Sequence, residues 1–208
     1  LKNVRILLLF LIVSIVLSGC SAENAKKPED VQKLLMKLKS YKSDVIFAVS
    51  NNKSTNVYKA KHLYKFPDMY RIEILEPNEL KGQTTIYNGD KAYIYHPQLE
   101  TYLLTQNFNN SMEYSSFVGS FIEHFKNNGG ARFNMENFGD KQCYVLEIPI
   151  KGENPYRVME KIWIDAEELL PVKVEILDKN NNISVQVLYE NFEANPKLED
   201  SLFQIQSK

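Results

Sequence analysis

The chain has 208 residues, with 25 basic and 26 acidic side chains, a formal charge of −1 and two cysteines. Its charges of both signs are interspersed and form no basic stripe, which excludes nucleic acid as a partner. The length suits one domain with a sizeable core.

Residues 1–19 read as an export signal. Lys2 and Arg5 precede an apolar run from Ile6 to Leu17 that is broken only by Ser14. A dozen helical residues reach about 18 Å, short of the roughly 30 Å hydrocarbon core, so a cleavable signal fits better than a permanent span. The run ends Leu17-Ser18-Gly19-Cys20, which resembles the lipobox of bacterial lipoproteins. That resemblance implies cleavage before Cys20, a diacylglyceryl group on its thiol and palmitate-type acylation of the new amine. Two chains at about 0.8 kcal/mol per buried methylene make detachment slow, where one holds only marginally. Cys20 then needs no thiol partner, and Cys143, left alone, rules out an internal disulfide.

Residues 20–27 are polar and aperiodic, a tether between lipid and fold. The domain, residues 28–208, opens with a helix. Pro28 takes a first-turn position, and Glu29 and Asp30 sit at the positive end of the dipole. Val31, Leu34, Leu35, Leu38 and Tyr41 follow at helical spacing on one inward face.

From Asp44 the period drops to two. In "VYKAKHLYKF", Tyr58, Ala60, His62, Tyr64 and Phe66 point one way and Lys59, Lys61 and Lys65 the other. "MYRIEILE" sets Tyr70, Ile72 and Ile74 against Arg71 and Glu73, and "PVKVEILD" sets Val172, Val174 and Ile176 against Lys173 and Glu175. Such alternation belongs to antiparallel strands with one wet face. Polar turns separate them, and no period of about 20 to 50 residues recurs, so the strands form a meander.

At Asn88-Gly89 a two-residue turn pairs Tyr87 with Asp90 and Thr85 with Ala92. Tyr87, Ala92 and Ile94 then share one face and Ile86, Tyr93 and Tyr95 the other, so apolar groups lie on both sides. Either the sheet curls around something or a partner covers its outside. "SMEYSSFVGSFIEHFKNNGG" interrupts the strands with a second helix, whose stripe is Tyr114, Phe117, Val118, Phe121, Ile122 and Phe125. The stripe buries several hundred Å² at about 25 cal/mol/Å². It reads as core, with a removable lid over a ligand cavity as the sharper alternative.

Catalytic spacings are missing. The sequence holds no G-x-S-x-G elbow, no phosphate-cradling glycine loop, no H-E-x-x-H and no paired Cys or His at metal spacing. His62 reads as a hydrogen-bonded core residue and His124 as a solvent residue off the aromatic stripe; His96 stands apart from both. Cys143 in "QCYVLEIPI" reads as a small buried strand residue. The carboxylates of "DAEELLP" and "NPKLEDSLF" read as turn and helix-start residues. The expectation is a protein that is not an enzyme and holds no cofactor or metal.

"YKFPDMYRIEILE", "TIYNGDKAYIYHPQ", "EKIWIDAEELLPVKVEILDKN" and "YENFEANPKLEDSLF", in that order and spacing, resemble the LolA/LolB-type lipoprotein carrier superfamily over most of residues 28–205. The resemblance implies an α+β fold: a strongly curved antiparallel sheet, an incomplete β-barrel, with helices packed on its concave face. One departure matters. Carriers place an arginine before the strand-ending proline to hold the lid, and here Phe66 precedes Pro67. A guanidinium can hydrogen-bond to lid carbonyls and release them, while a phenyl ring can only pack.

Within that superfamily the chain, lipobox included, closely resembles the germination-specific lipoproteins of spore-forming clostridia. That similarity implies a non-enzymatic accessory subunit of the zinc-dependent N-acetylmuramoyl-L-alanine amidase that prepares spore cortex peptidoglycan. The expectation is a lipoprotein anchored through Cys20 at the extracytoplasmic face of a bacterial membrane, in the forespore or spore envelope, its interior filled by its own side chains. Its outer surface or edge strands would engage the amidase, and an edge strand could pair with a second copy to give a homodimer. The rival is a lipid or lipoprotein carrier with an open apolar cavity.

Overall fold

The computed structural model describes residues 28–51, 53–106, 108, 111–128 and 130–205; the signal segment, Cys20 and the tether lie outside them. Its helices are α1 (Pro28–Met36) and α2 (Val118–Asn128). Its strands are β1 (Ser40–Ser50), β2 (Thr55–Lys65), β3 (Met69–Glu76), β4 (Thr84–Asn88), β5 (Ala92–His96), β6 (Thr101–Thr105), β7 (Arg132–Phe138), β8 (Lys141–Pro149), β9 (Met159–Asp165), β10 (Pro171–Leu177) and β11 (Ile183–Ala194).

All the strands join one sheet in the order β6-β5-β4-β3-β2-β1-β11-β10-β9-β8-β7. Every neighbour pairs antiparallel. Two meanders thus fuse where β1 pairs with β11, while β6 and β7, consecutive in the chain, become the two open edges. The segment between those edges has to cross a face of the sheet, and it carries α2 with it. From β2 to β8 is five strand spacings, about 24 Å in a flat sheet. Yet α2 lies against Tyr64 of β2 and also packs on β8, so the sheet curls around the helix. This is the expected incompletely closed, curved sheet, with both helices on its concave side.

Alternation builds the core. Val45, Phe47, Ala60, Tyr64, Tyr70 and Ile72 from the first meander and Leu146, Ile148, Ile162, Ile164, Val174 and Val187 from the second are buried in one cluster. Val31 and Leu35 of α1 and Val118, Phe121 and Ile122 of α2 complete it. A smaller cluster of Cys143, Val145 and Trp163 sits on the convex side, with Phe138 and Val172 against it. Lys173 Nζ lies 3.5 Å above the Trp163 ring and closes this cluster from solvent.

Several local expectations are corrected. The first helix stops at Met36 and the strand begins at Ser40, because Tyr41 belongs to the sheet, where its ring stacks on Phe192 at 4.8 Å. Leu34 is exposed, and so is Phe66, which falls just beyond the end of β2. A bulge between Pro171 and Lys173 turns Val172 to the convex side. At the hairpin, Tyr87 pairs with Ala92 and Thr85 with Ile94, a register two residues longer than a tight Asn-Gly turn. The Asn88 side chain accepts from the N–H groups of Asp90 and Lys91 and so stabilises a four-residue connection, with Gly89 at φ +90°. A shift of two keeps every side chain on its expected face.

The second helix is also shorter than its stripe. Tyr114–Ser116 form a single 3-10 turn and Phe117 is extended at φ −94°, ψ 137°, before α2 starts at Val118. Tyrosines of the sheet take over the backbone groups at the break: Tyr189 Oη donates to Ser116 O at 2.6 Å, and Val118 N–H donates to Tyr41 Oη at 3.3 Å. Phe117 is thereby free to lie flat on His62, centroids 4.0 Å apart.

Candidate binding site in the concave face

The interior is filled beneath α2 and hollow beside it. A cavity of about 300 Å³ opens at the β2–β6 end of the concave face. Phe47, Tyr58, Ile72, Ile74, Ile94 and Phe108 line it, with Gln83, Thr85, Thr105, Gln106, Ser111 and Glu113 as polar groups. The size is at the low end for small-molecule sites, and the mixture of apolar walls and a few polar groups is what such sites use.

The α2 segment is tied to the second meander by polar bonds and to the first by rings. His124 Nδ1 lies 2.6 Å from Glu160 Oε2 on β9, Asn128 Nδ2 donates to Pro149 O at 2.8 Å, and Lys151 Nζ donates to Asn127 O at 2.8 Å. His124 is therefore a partner of the sheet and not a solvent residue, a correction that follows from the curl of β9 beneath the helix. Glu160 is wholly buried, and burial pushes its carboxyl up against the opposing pull of His124 and Arg157. Among the described residues, Glu160 Oε1 and Arg157 Nε find no hydrogen-bond partner. The sequence carried a signal for Glu160: in "MEKIWID" it shares the inward parity of Ile162 and Ile164.

His62 is the core residue its strand parity indicates. It is fully buried, its Nε2 lies 3.4 Å from Ser116 Oγ, and burial lowers its pKa to about 3, so it is neutral. Burial also pushes the Cys143 thiol up, which suits a structural residue. Asp165 of "DAEELLP" organises a turn: its Oδ1 accepts from Glu167 and Glu168 N–H, and Lys141 Nζ donates to Oδ2 at 2.7 Å. His96 is half-buried on β5 and joins none of these groups. Among the described residues no cluster of three or more His, Cys, Asp or Glu side chains is placed to hold a metal ion.

The two sheet edges differ. β7 carries Arg132 and Glu136, while β6, "TYLLT", is uncharged and exposes Leu103 and Leu104 on opposite faces. An uncharged edge with apolar side chains is a template for another strand. The convex face is less open. The C-terminal segment crosses it, with Asn195 N–H donating to Ser40 O at 2.8 Å, Lys65 Nζ to Leu198 O at 2.9 Å and Arg71 Nη1 to Leu202 O at 3.3 Å. Phe203 is buried at its end, against β3 and β4, and Ile86 on that face is buried as well. The chain itself thus covers part of the outside of the hairpin.

A model of the sporulation protein YdcC-like family matches residues 1–203. The chain belongs to that family. It is 28% identical over 205 residues to an uncharacterized protein of Methanocaldococcus jannaschii, covering 95% of this chain and 56% of that one. It is 21% identical over 207 residues to the sporulation protein YdcC of Bacillus subtilis, covering 97% of this chain and 60% of the relative. The chain thus spans less than two thirds of the length of these curated relatives.

Among solved structures, a chain in the complex of the CwlD amidase from Clostridioides difficile with the GerS lipoprotein matches at 29% identity and a TM-score of 0.50, covering 82% of this chain and 98% of that one. An uncharacterized conserved protein from Thermus thermophilus matches at 11% identity and a TM-score of 0.56, covering 88% and 96%, a likeness of fold. A LolA superfamily protein from Nitrosomonas europaea matches at 14% identity and a TM-score of 0.47, covering 85% and 95%. Among the described residues no helix is long and apolar enough to cross a membrane.

Proposed function

We propose that this protein is a membrane-anchored, non-enzymatic accessory subunit of a spore-cortex N-acetylmuramoyl-L-alanine amidase, of the kind formed by germination-specific lipoproteins. The observation that supports this most is the 29% identity, over 98% of its length, to a chain in the complex of an amidase with a lipoprotein. Membership of a sporulation family supports a role in that developmental setting. Cys20 supplies the lipid anchor, at the extracytoplasmic face of a spore-envelope membrane. The open edge at β6 offers the partner, or a second copy, a row of unpaired backbone groups flanked by Leu103 and Leu104.

The test uses the native lipoprotein in detergent with a zinc-loaded cortex amidase. Co-elution and a rise in amidase turnover on mixing are expected; if neither occurs, the accessory-subunit reading fails. Cys20→Ala should leave an unprocessed precursor and abolish palmitate labelling, and unchanged labelling would remove the anchor.

The hollow of about 300 Å³ favours a second reading, a carrier of a lipid or lipoprotein acyl group. Solvent extraction of protein purified without detergent, followed by mass spectrometry, separates the two. Stoichiometric lipid supports the carrier, and a lipid-free protein removes it.

A further inference from the structure

A second cavity, of about 280 Å³, lies at the other end of the first meander, between α2, the β2–β3 turn and the β4–β5 hairpin. Tyr64, Tyr87 and Tyr114 line it together with Phe66, and the side chains of Asp68 and Glu123 reach it from opposite walls. Two close backbone approaches hold those walls. A Cβ at Gly119 would come 2.5 Å from the Tyr64 ring, and one at Gly89 would come 2.8 Å from Asp68 Oδ1, so both glycines leave room for the side chain that faces the cavity.

The charge in this cavity is unbalanced. Glu123 accepts a hydrogen bond from Tyr114 Oη, and among the described residues Asp68 has no hydrogen bond or ion pair. Lys126 lines the cavity as well, its Nζ 4.8 Å from the Phe66 ring centroid, and Lys39 Nζ lies 4.6 Å from the same ring; among the described residues neither forms an ion pair with the two carboxylates, so two acids face one base. Burial and then the charge of Glu123 push the Asp68 carboxyl up, and burial followed by the charges of Asp68 and Glu123 raises Tyr87. The ionised form of Asp68 is the one that a positive charge in the cavity would relieve.

We propose that this cavity binds an organic ammonium group, a primary or quaternary amine head, between Asp68 and Glu123 and against the rings of Tyr64, Tyr87 and Tyr114. Aromatic walls attract a weakly hydrated organic cation through the ring quadrupole, and the carboxylates supply charge and hydrogen-bond acceptors. A hard metal ion suits the site poorly, because two carboxylates fall well short of the roughly six to eight oxygens that calcium takes. The site does not depend on the amidase reading, which can fail while amines still bind.

The test is calorimetric titration of the full lipoprotein in detergent micelles at neutral pH with putrescine, tetramethylammonium, Nα-acetyl-lysine amide and calcium chloride. Saturable binding of the amines with a Kd of about 1 mM is expected. The near-isosteric Asp68→Asn and Glu123→Gln should each weaken it at least about tenfold without lowering the melting temperature. Tighter binding of the lysine amide than of putrescine assigns the site to a peptide side chain, and the reverse order to a free diamine. Absence of amine binding at about 50 mM, amine affinity unmoved by both substitutions, or binding of calcium alone would each overturn the proposal.

Discussion

Inward positions of β8–β11 are mostly aliphatic, with Leu146, Ile148, Ile162, Ile164, Val174, Ile176, Val185 and Val187 fully buried beside Tyr144, Glu160 and Tyr189, whereas those of β2–β4 carry Tyr58, His62, Tyr64, Tyr70 and Tyr87 beside Ala60, Ile72 and Ile74. The difference teaches how one sheet can be packed solid at one end and hollow at the other. Branched aliphatic chains interdigitate without polar atoms and leave nothing to satisfy. A tyrosine ring must also place its hydroxyl: Tyr64 Oη donates to Pro67 O at 3.3 Å, Tyr87 Oη to Gly89 O at 3.1 Å, and Tyr70 Oη to Tyr114 Oη at 3.4 Å. Hydroxyls held in this way keep the rings from collapsing on one another, and the cavity of about 280 Å³ lies among Tyr64, Tyr87 and Tyr114, while the cavity of about 300 Å³ has Tyr58 in its wall. The second meander is thus the anchor for α2, and the first is where a ligand or partner finds room.

The largest test of this contrast is a pair of truncations. Ile162→Ala in the aliphatic half should cost about 2–5 kcal/mol in urea unfolding, while Ile94→Ala beside the hollow should cost less than about 1 kcal/mol. Equal losses would break the comparison.

Next is pH. Burial lowers the His62 pKa from its usual 6.5 to about 3, so the unfolded chain takes up the proton first. Stability is therefore complete above pH 6.5 and lost as pH falls toward 3, by up to about 1.4 kcal/mol per unit. His62→Phe should flatten that slope. Glu160 works in the opposite sense: its raised carboxyl favours the neutral form in the fold, so its contribution declines as pH rises above the ordinary 4.5. Glu160→Gln should accordingly steepen the acid loss, as read by thermal melts across the range.

Gly119→Ala sharpens the packing side of the comparison. Its new methyl would meet the Tyr64 ring, at a cost of about 1–3 kcal/mol, and most of that should return in a Tyr64→Leu background. Independent, additive losses would show that the helix is not held against that ring. The smallest effect on stability belongs to the edge. Leu103→Lys on β6 should change unfolding by less than about 0.5 kcal/mol while abolishing amidase co-elution, and retained co-elution would remove β6 as the docking edge.

Much of the sheet is legible in the sequence. Parity placed Tyr58, Ala60, His62 and Tyr64 inside and the lysines of β2 outside, and it put Tyr70, Ile72 and Ile74 in the core. Element ends were less legible. Val172 left its expected face at a bulge, Phe66 fell beyond its strand, and the aromatic stripe broke at Phe117 because sheet tyrosines captured its backbone groups. Of the groups that shape the concave face, Glu160 carried a parity signal, while Asp68 and Glu123 carried none. Nothing local distinguishes a carboxylate that lines a cavity from one in solvent.

What the sequence by itself determined is the orientation of each side chain relative to its own strand, since a period of two needs only neighbouring residues to express it. Only the tertiary structure decided that β1 joins β11, that β6 and β7 are left as edges, and that His124 meets Glu160 across 36 positions of chain. Those outcomes come from twist accumulated over eleven strands, which brings together groups that no local pattern relates.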